Sequence, residues 1–335
     1  MKFFPIVNYK KNLGIIETQQ AIKLLKDSFE SFLARELNLT RVSAPLFVPH
    51  SSGLNDNLSG LESPVSFTIM DAPGESIEIV HSLAKWKRMA LGKYGFETYH
   101  GLYTDMNAIR KDEEISNIHS IYVDQWDWEL VIDEGDRNLD FLQNIVRRIY
   151  SVFLRAEDLV ASQYPEIQPE LPTEITFFTS SELEALYPDQ TPDEREYTAT
   201  KAHGAVFIMQ IGKLLANGKP HDKRAPDYDD WELNGDLLLY SKVLDRQIEL
   251  SSMGIRVNQD SLMRQLQQLN KTDRLALDYH QMLMNGELPL TIGGGIGQSR
   301  LCMFLLKKAH VAQVQASIWD DETRKLCAEH GLEIL

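Results

Sequence analysis

The sequence predicts an α+β fold in which an antiparallel β-sheet is flanked by helices. Strand-like segments follow one another in pairs more often than they alternate with helical segments, which favours an antiparallel sheet over a doubly wound parallel one. The 335 residues contain no internal repeat, low-complexity stretch or Gly/Ser-rich linker. The proline-containing stretches at 164–172 and 218–231 are typical of loops within a domain. We therefore expect a single domain over residues 1–335.

The first half of the chain is expected to hold two long helices with strands between them. Apolar residues recur at helical spacing from residue 17 to residue 37. The run at 41–48 is strand-like, but Pro45 lacks the N–H that a central strand needs, so this run belongs at a sheet edge or a strand end. The other expected elements are a hairpin of 63–70 and 76–82 turning at 71–74, a helix at 83–91, a strand at 117–130 and a helix at 139–160.

The second half of the chain is expected to complete the sheet and then to close with helices. Short apolar runs bounded by turn residues predict strands, and longer amphipathic runs predict helices. The expected strands are 173–178, 205–211, 236–243 and 246–252, and the expected helices are 259–269, 272–285 and 298–308.

The charge balance argues against a nucleic acid as the main partner. Lys and Arg number 34 against 49 Asp and Glu, so the formal net charge is −15, whereas a surface that binds nucleic acid is normally basic. The apolar stretch after Met1 is too short for a signal peptide, and no run approaches the roughly 20 apolar residues of a membrane span. Cys302 and Cys327 have no metal-ligand spacing, so we expect buried free thiols and a cytoplasmic protein.

Polar residues within a predicted strand are the first indication of a site. In the run from Tyr122 to Glu129, strand alternation places Gln125, Asp127 and Glu129 on one face and the two tryptophans on the other. A carboxamide and two carboxylates on one face indicate either an exposed strand or the wall of a polar pocket. The strand by itself leaves both interpretations open.

A second polar strand, which leads to Arg256, offers a metal site. Glu249 and Ser251 share one face of this strand, and Asp236 begins the strand before it. Carboxylates on neighbouring strands form a hard oxygen pair of the kind that binds Mg²⁺ together with substrate phosphates. We therefore take Asp236 and Glu249 as candidate metal ligands.

A glycine-rich run at 291–297 leads into an apolar helix that contains Arg300 in its first turn. Glycines before a helix let the backbone approach a ligand closely, and the helix N-terminus attracts anions. Because the helix dipole disfavours a cation there, we expect Arg300 to face a ligand or a buried carboxylate. The run lacks the Lys-Ser/Thr of a Walker loop, and a plain glycine turn remains the alternative.

Taken in order, these segments resemble the catalytic domain of class II aminoacyl-tRNA synthetases, particularly the aspartyl and asparaginyl enzymes. Pro45 resembles the proline of that family's dimer-interface motif, and Arg110 resembles the second-motif arginine that binds the ATP α-phosphate. The run 293–300 is similar to the third motif, whose arginine lies against the nucleotide. The run 249–256 is similar to a segment with a metal-binding glutamate and a substrate-binding arginine, and 82–87 has the spacing of an aspartate-binding segment.

The likeness is closer to the ammonia-dependent (A-type) asparagine synthetases, and it extends over nearly the whole chain. Val123 departs from the class II pattern, because a phenylalanine that stacks on adenine is usual at that place, and the segment between Trp231 and Asn234 is short. No anticodon-binding domain is expected. The stretches that resemble this family almost residue for residue are 56–60, 81–88, 122–129, 224–231 and 293–301.

The resemblance implies an aspartate–ammonia ligase that works in two steps. Aspartate attacks the α-phosphorus of ATP to give β-aspartyl-adenylate and diphosphate, and ammonia then displaces AMP to give asparagine. Arg110, Arg300 and Mg²⁺ on Asp236 and Glu249 are expected to stabilise the transition state, with Ser251 also at the nucleotide. The implied assembly is a homodimer without nucleic acid or membrane partners.

The substrate aspartate is expected to present its β-carboxylate to ATP. Arg256 and Lys87 would then hold its α-carboxylate, at the opposite end of the molecule. Asp56 and Asp229 are candidates for attracting ammonium ion and deprotonating it, because only neutral ammonia attacks. The other residues expected to bind substrate are Ser82, Gln125, Asp127, Ser252 and Gly294.

Three other functions remain open at this point. A synthetase-like relative that aminoacylates RNA or a protein would show pyrophosphate exchange without ammonia-dependent turnover. A non-catalytic binding relative would be expected to lack Arg110, Glu249 or Arg300, and all three are present. An unrelated α+β hydrolase with paired carboxylates would give no reason for the glycine–arginine run.

Overall fold

Two β-sheets organise residues 3–56, 58 and 62–335, the part of the chain that this computed structural model describes. The strands are β1 (Leu39–Arg41), β2 (Phe47–Pro49), β3 (Ser66–Ile69), β4 (Ala72–Ile79), β5 (Gly101–Ile109), β6 (Tyr122–Val131), β7 (Thr176–Thr179), β8 (Ala205–Met209), β9 (Asp229–Ser241), β10 (Arg246–Arg256) and β11 (Thr291–Gly297). The helices are α1 (Ile15–Leu37), α2 (Ala84–Tyr94), α3 (Leu139–Gln163), α4 (Ser180–Leu186), α5 (Pro192–His203), α6 (Gln259–Gln268), α7 (Asp278–Met284), α8 (Gln298–Leu305) and α9 (Asp321–Glu329).

The larger sheet has eight strands in the order β1-β5-β6-β11-β10-β9-β8-β7. Its five central pairings are antiparallel, whereas the end pairings, β1 with β5 and β7 with β8, are parallel. The smaller sheet has the order β2-β4-β3 and is antiparallel. The predicted α+β fold, a mainly antiparallel sheet flanked by helices, is confirmed.

Helices α1, α3 and α8 pack against one face of the larger sheet. Phe29 of α1 stacks on Trp126 of β6 with 4.7 Å between ring centroids, and it meets Phe153 of α3 edge-on at 5.2 Å. Because side chains alternate along a strand, the burial of Trp126 here directs Gln125 and Asp127 of β6 to the opposite face. One face of β6 therefore belongs to the apolar core, and its other face is free to carry polar side chains.

Helix α2 lies on that opposite face. Trp86 and Leu91 of this helix are buried among apolar side chains of β5, α6 and α7. Gly95 ends the helix with φ 70°, a left-handed conformation that glycine adopts without a steric penalty. The packing also buries Lys87, which places a cation beneath the helix and against the sheet.

The predicted helices and strands are largely present, with shifted ends. The helix predicted at 17–37 is α1, and the helix predicted at 139–160 is α3. The strands predicted at 236–243 and 246–252 are longer, because β9 begins at Asp229 and β10 continues to Arg256. These additions matter for function, since both added ends carry charged residues that were predicted to act on substrate.

Several predicted elements were wrong. The run at 41–48 is two short strands with Pro45 between them, and the predicted helix at 272–285 is a 3₁₀ turn followed by α7. The strand predicted from residue 117 begins at Tyr122. Residues 57, 59 and 60 of the family-like stretch 56–60 lie outside the described residues. The elements that were not predicted are β5, β11, α4, α5 and α9.

No helix within the described residues is long and apolar enough to cross a membrane.

Candidate active site

A cavity of about 360 Å³ lies on the polar face of the larger sheet. It is lined by residues of β6, β10 and β11, of helix α2, and of the segments that precede β6 and β9. Gln125 and Asp127 both line it. The polar strand is therefore the wall of a pocket, which was one of the two interpretations left open.

Strand β11 makes room for this polar wall because it carries no side chains at the critical places. Gly293 and Gly295 pair with Glu129 and Asp127 of β6. A Cβ at Gly293 would overlap the Glu129 carboxylate, and a Cβ at Gly295 would lie 2.7 Å from Asp127 Oδ1. The glycine run, for which a turn was the alternative, is a strand that lets its neighbour direct long polar side chains across it.

A buried network of alternating charges lies at one end of the cavity. Arg256 donates from Nε and Nη2 to the two oxygens of Glu129, at 2.9 and 2.7 Å, and from Nη1 to Asp229. Lys87 Nζ lies 3.4 Å from Asp127 Oδ1 and 3.8 Å from Glu129 Oε2, and it donates to the Gly294 carbonyl at 2.9 Å. Two cations and three carboxylates thus share one enclosed space.

The pKa values of this network follow from burial and pairing. Burial opposes the charge on Arg256, but Glu129 and Asp229 keep its pKa well above the ordinary value. Burial also opposes the charge on Glu129, yet Arg256 and Lys87 hold its pKa below the ordinary value. Burial dominates at Lys87, whose pKa is lowered, and at Asp229, whose pKa is raised. Asp229 is therefore a better proton acceptor than an exposed aspartate.

Two further arginines line another part of the cavity. Arg110 Nη2 donates to the His81 carbonyl at 3.3 Å, and its Nε is buried without a hydrogen-bond partner among the described residues. Arg300 donates to the carbonyls of Ile118 and Glu249, at 3.1 and 3.0 Å. Arg300 was expected to face a ligand or a buried carboxylate; it lines the cavity, and its direct bonds are to backbone carbonyls.

The candidate metal ligands Asp236 and Glu249 lie beside a third arginine. Arg224 donates to Asp236 Oδ2, and Ser252 also hydrogen-bonds this carboxylate. Burial and the nearby charge of Glu249 raise the pKa of Asp236 well above the ordinary value, although Arg224 opposes this. The other oxygen, Oδ1, is buried and has no partner in the described part of the chain. Glu249 lines the cavity, whereas Asp236 lies beneath its lining.

Asp56 lies at the cavity with its carboxylate almost enclosed. The Leu58 amide donates to its Oδ1 at 3.0 Å, and the residue is 3% exposed. Burial raises the pKa of Asp56, the nearby Lys85 opposes this increase, and Asp227 adds to it. Lys85 itself lies 3.5 Å from Asp227 Oδ2. Lys85 and Asp227, which do not line the cavity, therefore shift the pKa of Asp56 in opposite directions.

The structure brings together almost every residue that the sequence singled out. Asp236 is the exception, because it reaches the cavity through Arg224 and Ser252. The predicted site residues that line the cavity are Asp56, Ser82, Lys87, Arg110, Gln125, Asp127, Asp229, Glu249, Ser251, Ser252, Arg256, Gly294 and Arg300.

Some lining residues were missed by sequence reasoning. Arg224 lies in a stretch whose similarity to the A-type family was noted, so the resemblance could have indicated it. Glu129 does not itself line the cavity; the strand alternation had placed it on the polar face with Gln125 and Asp127, but it was given no role in the site. Gln315 lines the cavity from a short turn after α8, where no periodic pattern distinguishes it from the neighbouring Gln313.

Comparison with known proteins gives a consistent result over the full chain. The profile of one protein family, described as aspartate–ammonia ligase, matches residues 16–331. A curated aspartate–ammonia ligase of Clostridium perfringens is 58% identical over 334 residues, which cover 100% of this chain and 99% of that protein. Proteins of the same name from Clostridium tetani and Fusobacterium nucleatum are 57% and 56% identical over 327 residues, which cover 98% of this chain and 96% and 99% of theirs.

Solved structures with a similar fold are class II synthetases. The asparaginyl-tRNA synthetase of Pyrococcus horikoshii, complexed with asparaginyl-adenylate, aligns with a TM-score of 0.67 at 14% identity, covering 91% of this chain and 70% of that one. The aspartyl-tRNA synthetase of Entamoeba histolytica aligns with a TM-score of 0.60 at 15% identity, covering 92% and 58% of the two chains. At such identity the likeness concerns the fold.

Proposed function

Since this chain belongs to the aspartate–ammonia ligase family, we propose that it forms asparagine through a β-aspartyl-adenylate. Family membership makes it a ligase whose substrates are aspartate, ammonia and ATP. The proposed first step joins the β-carboxylate of aspartate to the α-phosphorus of ATP and releases diphosphate. In the second step ammonia attacks the acyl carbon, and AMP leaves.

One observation carries this proposal: a single cavity holds two pairs of cations with different surroundings. Lys87 and Arg256 are enclosed among carboxylates, which suits a small zwitterion such as aspartate. Arg110 and Arg300 are bonded to backbone carbonyls and keep their charge for a polyanion such as triphosphate. An acyl-adenylate needs both kinds of site next to each other, because its bond forms where the two substrates meet.

The aspartate site is supported by the donors and acceptors that remain unused. Arg256 commits three of its five N–H groups to Glu129 and Asp229, so it retains donors for an α-carboxylate. Asp127 Oδ2 is buried without a partner in the described part of the chain, so it can accept from the ammonium group of aspartate. Held at this end, the substrate directs its β-carboxylate towards Arg110 and Arg300.

The nucleotide site is proposed to include Mg²⁺ held by Asp236 and Glu249. The unpaired Asp236 Oδ1 and the carboxylate of Glu249 are hard oxygen donors, and they fit a divalent cation. The described residues contain no cluster of three or more acidic, His or Cys side chains that could hold a metal by themselves, so substrate phosphates and water would complete the coordination. Bound there, Mg²⁺ would neutralise phosphate charge together with Arg110 and Arg300.

The ammonia step is proposed to use Asp56 and Asp229. Both carboxylates line the cavity, and burial raises the pKa of each above the ordinary value. Such a carboxylate attracts ammonium ion while it is charged and takes up the proton more readily than an exposed aspartate would. Tyr228 lines the cavity with them, and its pKa is raised by burial and by the charges of both carboxylates, which supports their closeness.

A homodimer is supported by an apolar patch on the smaller sheet. Its exposed side chains include Phe47 and Phe67, whose rings pack edge-on at 5.5 Å. Apolar groups gathered on one exposed surface are typical of protein–protein contacts. By the apolar patch we mean the exposed apolar residues in and next to β2 and β3, which are Leu46, Phe47, Phe67, Ile69 and Met70.

The experiment that tests the function follows AMP and asparagine in parallel. Purified protein is incubated with ATP, Mg²⁺ and aspartate, with and without ammonium chloride. Equal amounts of AMP and asparagine, formed only when ammonia is present, are the expected result. If aspartate supports pyrophosphate exchange but ammonia yields no asparagine, the adenylate is formed and the proposed acceptor is wrong.

A further inference from the structure

One end of the cavity is bounded by chain segments that hydrogen bonds tie together. Arg300 joins the loop at Ile118 to strand β10 through its two carbonyl contacts. The Val311 amide donates to the Asn117 carbonyl at 2.7 Å, which attaches the turn after α8 to the same loop. These segments line the cavity with Ile118, Leu250 and Val311, which belong to one apolar cluster, and we call this part of the lining the apolar recess.

Gln315 borders the apolar recess with its amide group in one fixed orientation. It is 5% exposed and lines the cavity. Its Nε2 donates to the Tyr122 carbonyl at 3.1 Å and to the Ser299 hydroxyl at 3.0 Å. Since a backbone carbonyl can only accept, the Tyr122 contact identifies which atom is the nitrogen. The remaining atom, Oε1, is buried and has no hydrogen-bond partner among the described residues.

A buried acceptor without a partner is costly unless a ligand supplies the donor. Beside an apolar recess, the fitting ligand is a flat ring that carries an N–H group on its edge. Adenine has such a donor in its 6-amino group, whereas guanine has a carbonyl oxygen at the same place.

We propose that Gln315 Oε1 accepts a hydrogen bond from the 6-amino group of adenine and thereby selects ATP over nucleotides that lack this donor. The assignment rests on the ATP site proposed above, and it names the residue that sets the base specificity of that site. A guanine ring would place its O6 acceptor against the Gln315 Oε1 acceptor.

Arg300 is placed to add affinity for the base without selecting among bases. Its guanidinium donates to two carbonyls within its plane, so a base can stack on its flat face while its charge still acts on the phosphates, as proposed above. Stacking tolerates every base because each has a π-face, so it adds affinity with little selectivity. Val123, which replaces the usual phenylalanine, is too small to stack as an aromatic ring does. Arg300 therefore contributes affinity for the base, and Gln315 contributes selectivity for adenine.

The test compares ATP with purine riboside triphosphate, which lacks the 6-amino group. The kcat/KM for asparagine formation is measured with each nucleotide in the wild-type enzyme and in Gln315→Leu. We expect the wild type to prefer ATP by about ten-fold, the value of one hydrogen bond to a buried acceptor. In Gln315→Leu the kcat/KM values for the two nucleotides should differ by no more than about two-fold, because the 6-amino group contributes only through its hydrogen bond to Gln315. Each ratio is taken within one variant, so loss of folded protein cancels.

Gln313→Leu is the matched control. Gln313 lies two residues away and is equally buried, but it bonds to Tyr9, Ala309 and His310 and does not line this cavity. The Gln313→Leu variant should retain the wild-type ratio of kcat/KM for ATP to kcat/KM for purine riboside triphosphate, even if the variant is less stable.

Two results would overturn the assignment while the proposed function stands: equal use of both nucleotides by the wild type, or a preference for ATP that survives in Gln315→Leu. If no asparagine forms from ATP, the proposed function fails, and the comparison is made by equilibrium binding of AMP and purine riboside monophosphate. A preference for AMP that Gln315→Leu abolishes then supports the role of Gln315, and equal binding refutes it.

Discussion

Glu129 holds two buried cations in place before any substrate arrives. It is fully buried, accepts both contacts from Arg256, and also accepts from the Thr291 hydroxyl at 2.7 Å. Lys87 lies 3.8 Å away on another side. Burial and Arg256 lower the pKa of Lys87, and Glu129, which contacts both cations, opposes this decrease and orients them.

The substitution Glu129→Gln should weaken both folding and aspartate binding. It leaves the buried Arg256 without a full countercharge, for which we expect a loss of about 3 kcal/mol in the free energy of unfolding. The KM for aspartate should rise, because Arg256 and Lys87 lose their fixed positions. Urea unfolding and aspartate titrations measure the two effects. Glu36→Gln is the control, since its pair with Arg148 is partly exposed and should contribute less than about 1 kcal/mol. Unchanged stability and KM in Glu129→Gln would contradict this role.

The acid limb of the pH profile should report the ionisation of Asp56. Activity, expressed per neutral ammonia, requires the carboxylate form, so it should fall as the pH drops through a pKa that burial raises above the ordinary 3.8. Lys85 lowers this pKa, so Lys85→Met should move the acid limb to higher pH. Exposed Lys111 provides the control, and Lys111→Met should leave the limb unchanged. A limb that stays in place in Lys85→Met would argue that Asp56 is not the proton acceptor.

At the scale of an element, strand β11 shows how a site can require the absence of side chains. Gly295→Ala should lower kcat/KM by at least about ten-fold, because its Cβ would displace Asp127 and Gln125 from the cavity wall. Gly297→Ala should lose much less, since its Cβ would meet Arg300 at ordinary contact distances of 3.4 Å and beyond. Kinetics at saturating ATP and circular dichroism of both variants measure activity and fold. Equal losses in the two variants would contradict this explanation.

The elements that the sequence did not reveal have identifiable physical reasons. Strand β11 reads as a turn because four of its seven residues are glycine, and the reason for glycine lies in the side chains of a different strand. Helix α5 has few buried residues and weak apolar periodicity, so its charges suggest a surface loop. Its Thr191–Glu194 capping box and Pro192 were the usable signal. Helices α1 and α3 were predictable because their apolar faces cover the sheet.

At the scale of the whole molecule, the residues of the candidate site could be predicted from the sequence, but the ion pairs among them could not. Spacing and resemblance located the charged residues, since these interrupt apolar strands or fall within stretches that match the family. They could not show that Arg224 neutralises Asp236 or that Asp229 meets Arg256, because such partners are distant in sequence and set by sheet register.

The apolar patch predicts the assembly state. Phe47→Glu places a charge where Phe47 and Phe67 are packed, so it should convert a dimer into a monomer in size-exclusion chromatography with light scattering. Ile318→Glu is the control, because Ile318 is 72% exposed and lies outside the apolar patch. A wild-type protein that is monomeric at micromolar concentration would contradict the proposed homodimer.

The position of β11 also determines when the larger sheet can form during synthesis of the chain. It is the last strand of the larger sheet along the chain, yet it lies between β6 and β10. Among the described strands of that sheet, those before residue 132 therefore join those after residue 175 through β11 alone. A nascent chain on the ribosome carries two unjoined half-sheets until residues 291–297 emerge. The pocket therefore cannot close around its first nucleotide until residues 291–297 have emerged and paired.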